Sequence, residues 1–199
     1  MKRICVFCGS SPGARPEYLH AAEQLGYTLA SQNIGLVYGG ARVGMMGKIA
    51  EAVLEKEGEV IGVIPRALVE KEVAFTGLAD LRVVDSMHER KALMANLSDG
   101  FIAMPGGLGT IEEFFEVATW AQLGIHSKPC GLLNVDKFYD KLMDFLDHTV
   151  DEEFVEPEHR SMILVDEDPE RLLQRFKTYH PPTIDKAEWV LQLHNDQKY

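Results

Sequence analysis

Short apolar runs rich in β-branched residues alternate with segments of helical periodicity from the start of the chain to about Tyr179. This alternation predicts a parallel sheet, because parallel neighbours are joined by crossover helices. We therefore expect an α/β fold, with a Rossmann-like open parallel sheet of about seven strands flanked by helices, in a single domain over residues 1–179. Pro181 and Pro182 end the alternation. Residues 180–199 are interpreted as a C-terminal tail of unknown role.

The predicted strands are Arg3 to Phe7, Gly35 to Tyr38, Val60 to Ile64, Leu81 to Val84, Phe101 to Met104, Cys130 to Leu133 and Ile163 to Val165. The predicted helices are Pro16 to Gln32, Gly44 to Lys56, Met87 to Leu97, Thr110 to Leu123, Lys137 to His148 and Pro169 to Lys177. Ligands of such sheets bind beyond the carboxyl ends of the strands, where the strand order reverses. With the strand order 3-2-1-4-5, that point lies between the first and fourth strands. This arrangement brings Gly9 to Ser11, Arg90 and the turn from Pro105 to Glu113 around one crevice.

The most informative of these loops reads Pro105-Gly106-Gly107-Leu108-Gly109-Thr110-Ile111-Glu112-Glu113. Glycines without a Cβ let a ligand approach the main chain closely. Thr110 is a good N-cap, and the helix that it opens would present unpaired N–H groups and a positive dipole end. The turn is therefore predicted to bind a phosphate.

Glu113 has two interpretations. Thr110-x-x-Glu113 is a capping box, in which Glu113 only stabilises the helix start. A cap does not need three glycines, however, so a carboxylate that acts on the rest of the ligand is favoured. Glu116, one turn further, is either an acid partner of Glu113 or a polar position facing solvent, and the second is preferred.

Met87-His88-Glu89-Arg90-Lys91 opens the helix after the fourth predicted strand. Cations at a helix start oppose the dipole, typically by a few tenths of a kcal/mol up to about 1 kcal/mol. A solvated charged face is the ordinary explanation of such a run. The neighbouring glycine turn makes a ligand-binding role for Arg90 and Lys91 the alternative.

Two common nucleotide motifs are missing. Gly9-Ser10-Ser11-Pro12-Gly13 is not the dinucleotide fingerprint, and Gly47-Lys48 is followed by Ile49 where a Walker motif needs Ser or Thr. Neither a nicotinamide cofactor nor ATPase chemistry is expected. The glycines at 39, 40, 44 and 47 fit close packing and a ligand role about equally.

The composition narrows the class of protein. A net charge of −11 opposes binding to nucleic-acid polymers or anionic membranes. The three cysteines are too few for a secreted disulfide framework, and Cys5 and Cys8 are predicted to be buried thiols, so a cytoplasmic location is expected. No signal peptide or membrane span is apparent. The histidines lack metal-ligand spacing, so neither a metal nor another cofactor is expected.

These motifs together resemble the LOG (Lonely Guy) family of cytokinin riboside 5′-monophosphate phosphoribohydrolases, formerly labelled possible lysine decarboxylases. The resemblance rests on residues 87–91 and 105–113, supported by Cys8-Gly9-Ser10-Ser11, Tyr38-Gly39-Gly40 and Gly44-Met45-Met46-Gly47. It extends from about Lys2 to Lys177.

The resemblance implies hydrolysis of the N-glycosidic bond of AMP or its N6-substituted cytokinin forms, without a cofactor, by a homodimer. It implies Arg90 and Glu113 as the catalytic pair. It places ligand contacts on Glu72, Lys91, Gly106, Gly107, Leu108, Gly109, Thr110 and Thr119, beside Gly9 and Ser10 of the crevice. No lysine lies in a recognisable pyridoxal-phosphate context, which disfavours the decarboxylase label.

Two other classes of function remain open at this point. A non-catalytic carrier on the same fold would bind a nucleotide or phosphorylated cofactor without cleaving it. A nicotinamide oxidoreductase is the weaker alternative, because its fingerprint is missing.

Overall fold

The computed structural model describes residues 1–69 and 74–182. Its strands are β1 (Arg3–Phe7), β2 (Gly35–Tyr38), β3 (Val60–Pro65), β4 (Asp80–Val84), β5 (Gly100–Ala103), β6 (Cys130–Leu133) and β7 (Ile163–Asp166). Its helices are α1 (Pro16–Ser31), α2 (Gly44–Glu55), α3 (Arg66–Val69), α4 (Met87–Leu97), α5 (Leu108–Gln122), α6 (Asp140–Asp151), α7 (Pro157–Ser161) and α8 (Pro169–Lys177). A 3-10 turn at Val135–Lys137 precedes α6.

Within the described residues, the strands form one parallel seven-stranded sheet in the order β4-β3-β2-β1-β5-β6-β7. This confirms the predicted fold class. The predicted strand order was wrong, because β4 lies at the edge beside β3 and β5 pairs with β1, with Ile4 opposite Gly100. The order reverses between β1 and β5. Helix α4 makes the long crossover and contacts β1, β2, β3 and β4 on its way.

Both faces of the sheet are covered by apolar side chains. One core layer joins Ile4, Val6 and Cys8 to residues of α1, α2 and α8. The other joins Cys5 and Phe7 to residues of α4 and α5. Successive residues of a strand point to opposite faces, and the two cysteines accordingly lie in different layers. Cys5 and Cys8 are buried and free, as predicted, and Cys130 is buried and free as well.

Two helix starts differ from the prediction. Helix α5 begins at Leu108, with Gly107 as its N-cap, instead of at Thr110. Helix α6 begins at Asp140 instead of Lys137, because Asp136 and Lys137 have φ of 49° and 61°, in the left-handed region. The short helices α3 and α7 were not predicted.

None of the helices in the described part of the chain combines the length and the apolar character needed to cross a bilayer. The predicted tail at 180–199 falls mostly outside the described residues.

Candidate active site

The crevice lies where β1 and β5 diverge, between the loop after β1 and the glycine turn after β5. The Gly9 N–H donates to the Pro105 carbonyl at 3.1 Å and ties the two loops together. A Cβ on Gly106 would lie 2.9 Å from Gly9 N and would collide with the Thr110 side chain. Gly106 is thus required by close packing of the loops.

The crevice walls include Gly9, Ser10, Tyr18, Met45, Gly107 and Phe138. The structure therefore brings the predicted pair Gly9 and Ser10 to the glycine turn. Tyr18 and Phe138 meet edge to face, with ring centroids 5.8 Å apart. Sequence reasoning missed these two aromatic residues, because neither belongs to a motif.

The glycine turn leaves free donors at the start of α5, next to Gly107 of the crevice wall. The first intrahelical bond of α5 runs from Ile111 N–H to the Gly107 carbonyl at 3.1 Å. The preceding N–H groups of Leu108, Gly109 and Thr110 have no acceptor within the helix. Cβ atoms added to Gly107 or Gly109 would meet nothing within 4 Å. Open space around free N–H groups at a positive dipole end suits an anion, and a phosphate above all.

The structure corrects the predicted role of Thr110. Gly107 is the N-cap and no side chain caps α5, so the predicted Thr110 cap and the capping-box interpretation of Glu113 were wrong. Thr110 lies two residues into the helix and is buried against Gly106. Glycine suffices as N-cap because it tolerates the required extended backbone, which the sequence pattern alone did not reveal.

Glu113 instead pairs with Arg90. The Arg90 Nη1 donates to Glu113 Oε1, and the two side chains are only 8% and 12% exposed. Arg90 Nε also donates to the Val63 carbonyl at 3.0 Å, which fixes the guanidinium. Burial raises the pKa of Glu113, and the Arg90 charge opposes this rise. A buried, oriented carboxylate therefore stands one turn from the free N–H groups.

Gly39 makes room for this pair. A Cβ at this position would lie 2.9 Å from Met46 Sδ and closer still to Arg90 Nη2. Gly44 has φ of +59°, and a Cβ there would collide with the Ser10 backbone. Packing accounts for both glycines, which the sequence left undecided between packing and ligand binding.

Lys91, beside Arg90, also reaches α5. Its Nζ donates to Glu112 Oε1 at 2.6 Å and to Glu116 Oε1 at 2.9 Å, and its side chain is 9% exposed. The hydrogen bond to Glu112 is the main cause that raises the pKa of Lys91. The preferred interpretation of Glu116, a position facing solvent, was wrong, because only a quarter of its side chain is exposed and Oε2 is buried.

Of two further predicted contacts, one lies away from the crevice and the other is not among the described residues. Thr119 is exposed on α5 and lines a separate, mostly apolar cavity with Phe115, Ala118 and Tyr179. Glu72 lies outside the described residues. Over residues 1–69 and 74–182, no group of three or more His, Cys, Asp or Glu side chains is arranged to hold a metal ion.

Comparison with known proteins identifies the family. The family model described as "Possible lysine decarboxylase" matches residues 46–176. The chain is 47% identical over 194 residues to cytokinin riboside 5′-monophosphate phosphoribohydrolase LOG1 of Arabidopsis thaliana, covering 96% of this chain and 91% of that protein. The chain belongs to the LOG family.

A second LOG-family relative is also similar over most of the chain. The probable cytokinin riboside 5′-monophosphate phosphoribohydrolase LOGL9 of Oryza sativa is 51% identical over 90% of this chain and 79% of its own length. Among solved structures, the molybdenum cofactor binding protein of Rippkaea orientalis superposes with a TM-score of 0.68. That match covers 89% of this chain and 97% of the other at 24% identity, and it shows a shared fold.

Proposed function

We propose that this chain hydrolyses the N-glycosidic bond of AMP and of N6-substituted cytokinin nucleoside 5′-monophosphates, releasing the free base and ribose 5-phosphate. The names of the LOG-family relatives support this substrate class. The observation that carries the proposal is the buried Arg90–Glu113 pair one helical turn from an anion-binding helix start.

The phosphate binds first in this scheme. The N–H groups of Leu108, Gly109 and Thr110 donate to its oxygens, with the α5 dipole adding attraction. Glu113 lies three residues beyond Thr110, about 4.5 Å further along the helix axis. An anchored phosphate thus holds the attached ribose beside the carboxylate and limits its motion before reaction.

Bond cleavage then depends on Glu113. As the base leaves, the sugar develops oxocarbenium character, and a nearby carboxylate stabilises that positive charge or orients the attacking water. Arg90 opposes the effect of burial on the Glu113 pKa and fixes the orientation of the Glu113 side chain. The guanidinium also supplies donors to the phosphate or the leaving base.

The proposal also covers the oligomeric state and the cellular location of the protein. We infer a homodimer that uses the C-terminal part of α5 and the loop after it. Thr119 and Gln122 line the apolar cavity there, and Leu123 and Ile125, just beyond the helix, are 55% and 66% exposed. Thr119 then contributes to a site near the interface. The buried free thiols fit a reducing cytoplasm.

The test is base release from a panel of nucleoside 5′-monophosphates, including AMP and its isopentenyl form, followed by chromatography. We expect stoichiometric base and ribose 5-phosphate from the wild type. Glu113→Ala and Arg90→Ala should lose most turnover. Glu170→Ala, a change in the first turn of α8, is the matched control. Full AMP turnover by Glu113→Ala would contradict the catalytic assignment.

The same experiment distinguishes hydrolysis from the alternative of a non-catalytic carrier. The only support for a carrier is the fold shared with molybdenum cofactor proteins. A carrier retains bound nucleotide intact and releases no base. Hydrolysis by the wild type would exclude that alternative.

A further inference from the structure

The apolar cavity at Thr119 has room for a large side chain. It measures about 200 Å³ and lies between α5, α6 and α7, above the first residues of β6 and β7. Ala118, Val155, Met162 and Tyr179 are among its wall residues. A cavity of about 150 Å³ with apolar walls holds a benzene ring. This cavity can therefore accept an aromatic side chain larger than a phenyl ring.

One polar pair at the cavity has unmet hydrogen bonds. His159 lines the cavity, and its side chain is only 3% exposed. Its Nδ1 lies 3.3 Å from Glu156 Oε2, and neither atom makes a hydrogen bond within residues 1–69 and 74–182. Buried polar atoms are nearly always paired, so the two atoms need a partner that the described residues do not supply.

The described part of the chain ends beside this cavity. Tyr179, just after α8, lies in the cavity wall. Pro181 and Pro182 lie in the wall of an adjoining cavity. The two cavities share the wall residues Ala121, Gln122, His159 and Met162. The chain that follows Pro182 therefore starts within one cavity width of the apolar cavity.

The sequence of residues 183–199 suits the cavity. It contains one apolar group, which consists of Trp189, Val190, Leu191 and Leu193. An extended stretch of the length between Pro182 and Trp189 spans up to about 23 Å, which is about the length of α5. The indole of tryptophan is bicyclic, and its N–H usually finds an acceptor when it is buried. Trp189 thus has the reach, the size and the donor that the cavity calls for.

We propose that residues 183–199 fold back on their own subunit and place Trp189 in the apolar cavity, where the indole N–H donates to the His159–Glu156 pair. The neighbouring apolar residues of this segment cover the cavity opening. Leu123, 55% exposed just beyond α5, stays available for the inferred dimer contact. The inference does not depend on the proposed hydrolysis.

Fluorescence of Trp189 in the full chain tests the proposal. The chain has two tryptophans, so Trp120→Phe leaves Trp189 as the only emitter. We expect its emission to lie to the blue of that of free indole in water and to resist quenching by acrylamide, because the ring is shielded from solvent. Emission and quenching like those of free indole would overturn the proposal.

A second variant fills the cavity. Ala118→Phe, added to Trp120→Phe, puts a ring into the cavity from its wall and should expel Trp189, so the emission should shift to the red. Ala79→Phe is the matched control, because Ala79 is exposed just before β4, at the opposite edge of the sheet. It should leave the emission unchanged. Blue emission that persists in folded Ala118→Phe would place Trp189 elsewhere and overturn the proposal.

Trp189→Ser tests the same contact without a change in the core. It should leave the cavity open, so binding of the dye ANS to exposed apolar surface should increase severalfold. The Tm should fall by at least about 3 °C, as expected from the loss of one large buried side chain. Gln192→Ser, a polar change in the same segment, should alter neither. Unchanged ANS binding and Tm in Trp189→Ser would contradict the proposal.

Mixed subunits distinguish a chain's own cavity from that of a second copy. All chains carry Trp120→Phe. Chains with Trp189 and the filled cavity of Ala118→Phe are refolded from urea with an excess of Trp189→Phe chains, whose cavities are open. The emission should stay red, because Trp189 cannot enter its own filled cavity. A return to blue emission would show that the segment binds a second copy, and would overturn the assignment to its own subunit.

Discussion

Gly39→Ala should disable the site while leaving the fold intact. The added methyl would lie 2.9 Å from Met46 Sδ and closer still to Arg90 Nη2. Ordinary carbon contacts are about 3.5 Å or longer, so these groups must retreat by more than about 0.6 Å. The backbone at Gly39 is not left-handed, and alanine adds no conformational strain there.

The size of the effect follows from what holds Arg90. Its guanidinium is bound to both Glu113 and the Val63 carbonyl, so a shift of about 1 Å breaks at least one of these bonds. Misplacement by about 1 Å typically costs about a hundredfold in rate, or about 2.7 kcal/mol of transition-state stabilisation. Overpacking should lower folding stability by about 1 to 3 kcal/mol.

The assay is kcat/KM for release of adenine from AMP, together with thermal unfolding to establish that the variant is folded at the assay temperature. Gly77→Ala is the control, since a Cβ there makes only an ordinary contact, 3.5 Å from Phe75. If folded Gly39→Ala retained kcat/KM within about twofold of wild type, Arg90 would not need its present position. The catalytic pairing would then be refuted.

Four further results are expected. Tyr139→Phe removes the 2.6 Å hydrogen bond to the Met104 carbonyl that supports the glycine turn, and should lower the free energy of unfolding in urea by about 1 to 3 kcal/mol. Burial raises the pKa of Glu113. Turnover that needs the ionised Glu113 carboxylate should therefore fall on acidification, and it should fall at a higher pH than it would with an exposed glutamate. The same raised pKa stabilises the folded state at low pH, and this contribution should be lost as pH rises through the pKa of Glu113 in the folded state. Urea unfolding of the wild type and of Glu113→Gln across this pH range measures the contribution. Gly44→Ala forces a left-handed backbone and a collision with the loop after β1, so it should destabilise by about 3 kcal/mol, visible as a lowered Tm.

The sequence predicted the elements of the fold better than their lateral arrangement. All seven strands were recognisable, because buried parallel strands are continuous apolar runs such as Val60 to Ile64. The order of the strands in the sheet was not recognisable, since periodicity shows which face of an element is buried and says nothing about which strand lies beside it. The placement of β4 at the edge depends on the crossover of α4, a long-range packing outcome.

Site residues were predictable where they oppose a local structural preference. Arg90 and Lys91 oppose the helix dipole, and both are buried in ion pairs. The partner of Glu116 was not predictable. Helical spacing shows which side of the helix carries the carboxylate, but it does not show which residue of another element lies opposite. Gly39 was ambiguous for the same reason, since its need for space comes from a side chain 51 positions away in the chain, at Arg90.

The free N–H groups that begin α5 have a consequence for ionic strength. The two cations beside them are already neutralised by Glu112, Glu113 and Glu116, so the attraction for a phosphate comes from backbone dipoles at short range. Added salt screens separated surface charges strongly and acts much less on groups in direct, partly buried contact. Phosphate-bearing ligands of this protein should therefore stay bound at salt concentrations that release them from lysine-lined sites.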